Sequence, residues 1–398
     1  MSVFAGAPVL VVGAGPVGLL LAARLLALGI PTRIVERRSE LARGSRAIGV
    51  HPPGLTALAS VGADAAVRAA GVRIEAGRAF GAYGELGTLA FGPETPLLAV
   101  PQAASEAALE AALRAHGGAV ERGVTLTDLA PADGAVLEAT LLAAEGLCTV
   151  RAGLVIGCDG RDSRVRELAG IARHGGPYPD RYLMADLPAA GELGPWAEIR
   201  LHPDGLVESF PLPDGWRRVV VRVHDAHGEP QGDPGSGGGH GGVDAAVARR
   251  VCELAAERGG GRFDPKRAGM TSAFGVERWL ARRFTVGRVA LAGDAAHVVS
   301  PIGGQGMNLG WLDAVALAAA VARGEARGAA ALGVELASYA ERRRRAARLA
   351  MWRAAWNTRL GRPLGPARAR SRDALLRLAL RPPWSRFMVG AFTMRGLA

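Results

Sequence analysis

Gly13, Gly15 and Gly18 stand in G-x-G-x-x-G spacing, and a carboxylate, Glu36, follows 18 residues after the third glycine. Such spacing suits a pyrophosphate. A glycine at 13 permits a tight turn, one at 15 lets phosphate oxygens approach the backbone, and one at 18 lets the next helix pack closely on a strand. The helix N-terminus then turns its N–H groups toward the negative charge. The flanking residues supply the context this reading requires. Val9–Val12 is a β-prone run, 16–28 reads as a helix closed by Gly29, and 32–35 reads as a second strand. Pro16 and Val17 sit between the glycines and Arg37 follows Glu36, so all three are counted with the nucleotide-binding residues. A carboxylate at the end of the second strand accepts hydrogen bonds from ribose hydroxyls and repels a 2′-phosphate, which points to FAD or NAD rather than NADP.

Two later segments repeat the pattern of a buried strand followed by a glycine turn. "LVIGCDGRDSRVRELAG" places Asp159 and Gly160 after an apolar run at 154–156, with Arg166 three residues beyond Ser163. "RVALAGDAAHVVSPIGGQGMNLGWLDA" places Gly293 and Asp294 after Val289–Leu291, then passes Pro301, Gly304 and Gly306 into a helix starting near Met307 and Asn308. A helix N-terminus there would stabilise negative charge on a reduced cofactor ring.

Together these segments resemble the FAD-dependent aromatic hydroxylases, single-component flavoprotein monooxygenases of the para-hydroxybenzoate hydroxylase type, over residues 9–343. The resemblance implies that Asp294 bonds the ribityl chain, that Pro301 lies beside the isoalloxazine, and that Gly306, Met307 and Asn308 offer backbone N–H groups to its pyrimidine edge. It also places Asp159 and Arg166 near the pyrophosphate, Arg46 against the flavin or pyrophosphate, and Gln102, which opens a helix, on the ribityl chain. The implied cofactor is FAD, with NADPH or NADH as transient reductant and O2 as co-substrate. The implied reaction is hydroxylation of an aromatic or polyketide-like small molecule of secondary metabolism through a C4a-hydroperoxyflavin. No catalytic base is assigned. His51, His174, His202, His224 and His297 are candidates by residue type alone, and His297 is read as ordering the GDAAH loop.

The expected fold is α/β. A Rossmann-like FAD-binding domain is assembled from residues 1–74, 102–171 and 284–341, an inserted antiparallel-sheet substrate domain from 75–101 and 172–283, and a basic C-terminal helical tail from 342–398. Short β-prone runs at 197–201, 206–211 and 217–223, with turns at 203–205 and 213–215, predict an antiparallel meander. The Gly/Pro/Ser-rich segment 227–242 reads as a flexible loop. Tyr339 and Arg343 resemble the family's helix end, while arginines 342–345 read as a solvated face. The tryptophans and leucines beyond Met351 are expected to pack on the core, with an oligomer contact or a lipid-like surface as alternatives.

Composition narrows the class. The net charge of +11 is almost wholly arginine, Lys266 being the only lysine, and acids are interspersed, so no nucleic-acid partner is expected. Cys148, Cys158 and Cys252 form no CxxC pair, which argues against a metal site or a disulfide framework. The opening residues lack a basic secretory n-region, and the apolar run 19–30 is broken by Arg24 and shorter than the roughly 20 residues a bilayer requires. A cytoplasmic monomer or homodimer without stable membrane insertion is expected. The sequence shows no counterpart of the thioredoxin-like extension of longer hydroxylases and no second G-x-G-x-x-G unit of strand, turn and helix for a separate NAD(P)H domain, which favours the compact form. Rival readings are an FAD-dependent reductase or dehydrogenase resembling the geranylgeranyl reductases, a non-catalytic flavin-binding redox regulator, and an arginine-rich nucleic-acid binder. A flavin halogenase is disfavoured, since no Trp-x-Trp-x-Ile-Pro element occurs.

Overall fold

A computed structural model of the protein describes residues 4, 6–40, 47–93, 95–132, 136–189, 193–223, 242–301 and 303–397. Arg46, His224 and the 227–242 segment apart from Gly242 lie outside the described residues.

The branched apolar runs become a six-stranded sheet. Its order is Thr285–Val286, Val289–Leu291, Leu154–Gly157, Val9–Val12, Thr32–Glu36, Val120–Arg122. Only the outermost pair, at Thr285–Val286, is antiparallel. Val9–Val12 and Leu154–Gly157 are buried throughout, as strands covered on both faces must be. The helices Pro16–Ala27 and Gly306–Arg327 pack together over this sheet. Close packing explains two of the glycines. A Cβ on Gly18 would lie 1.9 Å from the Gly13 carbonyl oxygen, and one on Gly13, whose φ is +101°, would lie 2.5 Å from the Cys158 carbonyl oxygen.

A second, eight-stranded sheet follows the order His297–Val298, Met270–Ala281, Arg173–Pro188, Trp216–Val223, Gly205–Pro211, Trp196–His202, Ala76–Gly81, Gly84–Ala90. The expected meander is its centre, with Val207 opposite Val221 and Leu201 opposite Leu206. Ala76–Gly81 joins it in parallel with Trp196–His202. Alternation gives the sheet two different faces. Leu183, Ala185, Val207, Val219 and Val221 bury one face under the amphipathic helix Ala245–Glu257, which Asp244 caps by accepting the N–H groups of Ala246 and Val247. The other face carries Tyr182, Met184, Leu201, Leu206, Val220 and Phe274.

That second face is covered by the C-terminal helices. Ala329–Leu360 runs unbroken through residue 342 and is followed by Pro366–Ala379 and Trp384–Phe392. The expectation that 342–345 forms one solvated face is corrected at Arg343, which is 4% exposed because it donates to Asp313 and to the Leu397 and Leu309 carbonyls. Other arginines fasten the tail. Arg362 donates to buried Asp180, which also accepts from Arg222, and Arg372 donates to the Leu201 carbonyl while its neighbour Asp373 accepts the Ala82 N–H. Core packing of the tail holds for Leu376, Leu380 and Leu397 but is corrected for Trp352, Trp356, Trp384, Leu375 and Leu378, which are exposed because the helices that carry them bury only one side. Among the described residues no helix is long and apolar enough to cross a membrane.

Removing one partner of a buried ion pair leaves the other charge uncompensated, which costs about 3–5 kcal/mol. Asp180→Ala is therefore expected to lower unfolding stability by about that amount and to expose the segment after residue 360 to protease. Equal denaturation midpoints and equal cleavage in the two proteins would refute this account of tail docking.

Candidate functional site

The three glycine turns lie at the carboxyl ends of parallel strands, where open α/β sheets bind ligands. Gly15 precedes the helix Pro16–Ala27, and a Cβ built on it meets nothing within 4 Å. Open space at a helix N-terminus suits a phosphate. Gly15, Pro16 and Val17 form one end of a cavity of about 490 Å³ whose wall continues through Gln102, Gly160, Asp294, Pro301, Gly304, Gly306 and Met307.

Glu36 is 6% exposed, and its Oε2 accepts the Ala14 N–H at 2.9 Å while Oε1 accepts from the Arg38 backbone and side chain. Burial works to raise this carboxyl, but those donors outweigh it and hold the group below the ordinary glutamate value. Oε2 keeps a second lone pair for a ribose hydroxyl. Arg37 beside it is exposed.

Asp159 accepts the Val165 N–H through Oδ2, whereas its buried Oδ1 has no partner among the described residues. Burial raises its carboxyl. Asp294, in the turn Gly293–Ala295, is surrounded by protein yet keeps an accessible carboxyl on the cavity wall, also raised by burial, against His297 and Arg161. A carboxyl open to the cavity at Asp294 suits a hydroxyl-rich ligand chain such as the ribityl of FAD. Farther along, the first N–H groups of Gly306–Arg327 have no acceptor within their own helix and suit the electron-rich edge of a flavin. The residues present therefore fit FAD.

Other expected site residues act through the scaffold. Arg166 is 4% exposed and donates to the Arg161 and Ala295 carbonyls at 3.0 and 3.1 Å, tying the second motif to the third. Asn308 accepts the His51 N–H at 2.9 Å and donates to the Gly49 and Gly304 carbonyls, which clamps the glycine loop to the strand Gly49–Val50. Gln102 lines the cavity and donates to Glu106 at 2.8 Å. Among the described histidines, His174 is exposed, His202 bonds the adjacent Asp204 N–H, and His297 is buried against Asp313. His51 lines the cavity beside Phe392, where burial pushes its imidazole down to about 4 and keeps it neutral.

Two residues of the site escaped the sequence reading. Asp313 accepts from Gly293 N–H, His297 and Arg343, and its signal was a lone acid on an otherwise apolar stretch of helix. Glu208 lies among the apolar residues of the cavity's far end, and its signal was a single acid at a core-facing position of the strand Gly205–Pro211.

Gly15→Val has room in the protein alone, so the apo variant is expected to fold with an unchanged melting temperature while losing FAD affinity at least about 10-fold. Flavin absorbance of the purified variant checks this, and full flavin occupancy would count against this phosphate site. His51 sets an acid limit. Its folded value lies below its unfolded one of about 6.5, so stability present above that pH falls as pH drops toward about 4, where the folded state also takes the proton. His51→Gln should flatten that part of the melting-temperature profile, and an unchanged slope would contradict the burial of a neutral imidazole.

The geometry agrees with known proteins. A family model described as an FAD binding domain matches residues 6–198 and 242–354. The chain is 32% identical over 317 residues to a rifampicin monooxygenase of Streptomyces venezuelae, an alignment covering 77% of this chain and 62% of that enzyme. It thus spans about three fifths of the length of the curated relatives it matches. Among solved structures, an anhydrotetracycline hydroxylase of Streptomyces rimosus superposes with a TM-score of 0.77 at 28% identity, covering 97% of this chain and 75% of that one. A p-nitrophenol 4-monooxygenase of Pseudomonas putida gives a TM-score of 0.85 at 24% identity over 98% of both chains, a likeness of fold. With its three glycine turns lining one cavity, the chain belongs to the FAD-dependent aromatic hydroxylase family.

Proposed function

We propose that the protein is an FAD-dependent monooxygenase that uses NADPH or NADH and O2 to hydroxylate an aromatic, polyketide-like small molecule. The observation that carries this reading is that one cavity extends from the dinucleotide-binding turns to an apolar chamber between the second sheet and the C-terminal helices. Bound at the turns, FAD supplies the redox chemistry and the activation of O2. The chain's own residues orient and shield. Asp294 accepts from the ribityl hydroxyls, Asp159 lies near the pyrophosphate, Pro301 borders the ring position, and the N-terminus of Gly306–Arg327 stabilises negative charge at the ring edge. Leu360, Leu376, Leu380, Met388 and Phe392 close the chamber with apolar surface and keep water from the reacting atoms.

The relatives' names support a polycyclic aromatic substrate, since they refer to rifampicin and anhydrotetracycline. The division into an FAD-binding part and a substrate part is supported by separate apolar clusters, one beneath the parallel sheet and others on the two faces of the second sheet. A cytoplasmic monomer or homodimer without a nucleic-acid partner completes the proposal. Arg33, Arg218, Arg222, Arg343 and Arg362 are held in ion pairs within the chain, which supports a structural use of its arginine.

Anhydrotetracycline, rifampicin and p-nitrophenol form a first panel. At least one is expected to accelerate NADPH or NADH oxidation and to gain one oxygen atom from isotopically labelled O2. A ligand that is reduced or dehydrogenated without label would move the protein to the reductases.

A further inference from the structure

Glu208 is the unexplained group of the chamber. Register sets it opposite Val220 and Ile199, and all three line the cavity with Leu206 and Phe210 of its own strand. It is 6% exposed, and among the described residues its carboxyl has neither a hydrogen-bond nor an ion-pair partner. Burying a carboxyl in apolar surroundings is costly unless something pairs with it.

The neighbouring charges do not fill that role. Arg218 is held by Asp186 at 2.7 Å, and Arg222 and Arg362 are both held by Asp180. On the facing elements, Arg372 is paired with Asp373, Arg78 with Glu85, and His51 is neutral. Tyr182, on the strand Arg173–Pro188, has a buried hydroxyl without a partner among the described residues, and its ionisation is pushed up by burial and then by the Glu208 charge. Tyr182 thus stays a neutral phenol.

We propose that Glu208 is a substrate-binding residue that accepts a hydrogen bond from a hydroxyl group on the ring system of an aromatic ligand, and so sets which ring edge faces the glycine turns. The placement fits this role. Glu208 is an acid on an apolar wall, in the same cavity as Pro301 and Gly304, so a flat ligand anchored there by a hydroxyl spans the chamber. Burial alone pushes its carboxyl up to about 7, so the acceptor changes charge near neutral pH. An ionised carboxylate is the stronger acceptor. The inference rests on the reading of this chamber as the substrate site, but not on the outcome of the oxygen reaction.

The test uses the FAD-loaded protein and two fluorescent ligands, 2-naphthol and 2-methoxynaphthalene, which differ in the hydroxyl donor. The naphthol keeps its proton from about pH 5.5 to about pH 8.5. In the wild type its affinity should rise as pH passes about 7, whereas the methoxy compound, which has no proton to donate, should gain nothing over the same range. E208Q should weaken 2-naphthol about 10-fold or more at pH 8 and remove its pH dependence. The methoxy compound, bound by the same variant, reports an intact chamber, and the wild-type pH profiles decide the matter if E208Q fails to fold. Equal pH responses of the two ligands, equal weakening of both in E208Q, or no binding of 2-naphthol to the wild type would overturn the assignment. Because oxygen incorporation is not read, failure of the hydroxylase proposal and failure of the Glu208 assignment are separable.

Discussion

Asp313 is the interaction on which the site depends. It is buried on the helix Gly306–Arg327, and it accepts from the Gly293 N–H, from His297 and from Arg343. Burial works to raise this carboxyl, but His297 and Arg343 outweigh it and hold the group below the ordinary aspartate value. A charge so placed joins the end of the strand Val289–Leu291, the turn that carries Asp294, and the helix Gly306–Arg327 itself. Through Arg343 it reaches the Leu397 carbonyl and fixes the end of the tail. Tyr339 adds a bond to the Leu291 carbonyl at 2.7 Å. A satisfied network of this kind rigidifies a site in a way that apolar packing, which is not directional, does not.

The two ends of the cavity are built on different physics. At the nucleotide end, precision comes from backbone: bare glycines, helix N-termini and carboxylates with spare lone pairs. At the far end the walls are mostly apolar, and Met184, Leu206, Val220 and Phe274 offer only surface. Against such walls one acid carries great weight. Polar contacts buried in an apolar pocket discriminate between ligands far more sharply than an added methylene.

Arginine has structural uses here. Long stems that end in five donors reach carbonyls and carboxylates across elements, as Arg372 does at Leu201 and Arg166 at Ala295. Each such bond connects parts of the chain that apolar contact alone would leave free to slide. Tail docking of this kind also explains why the apolar residues after 351 face two ways. Leu360, Leu376 and Leu380 close the cavity, while Trp352, Trp356 and Phe387 remain exposed.

The sequence by itself determined the nucleotide end, because that site is made of local backbone geometry. A strand, a glycine turn and a helix within one short segment constrain one another, so Gly13, Gly15, Gly18 and the two later turns were legible with their strands. The meander at 196–223 was legible for the same reason, alternation and turn residues being near-neighbour signals. Only the tertiary structure decided the rest. Arg343 looked like one more surface arginine until Asp313, distant in sequence, was brought beside it, and Arg166 proved to bridge two motifs. The chamber draws walls from residues 74–91, 184–220 and 357–392, segments that no local pattern links. Glu208 reads as an ordinary acid in a strand, and its isolation among apolar side chains arises only when the sheet, the hairpin and the tail close over it.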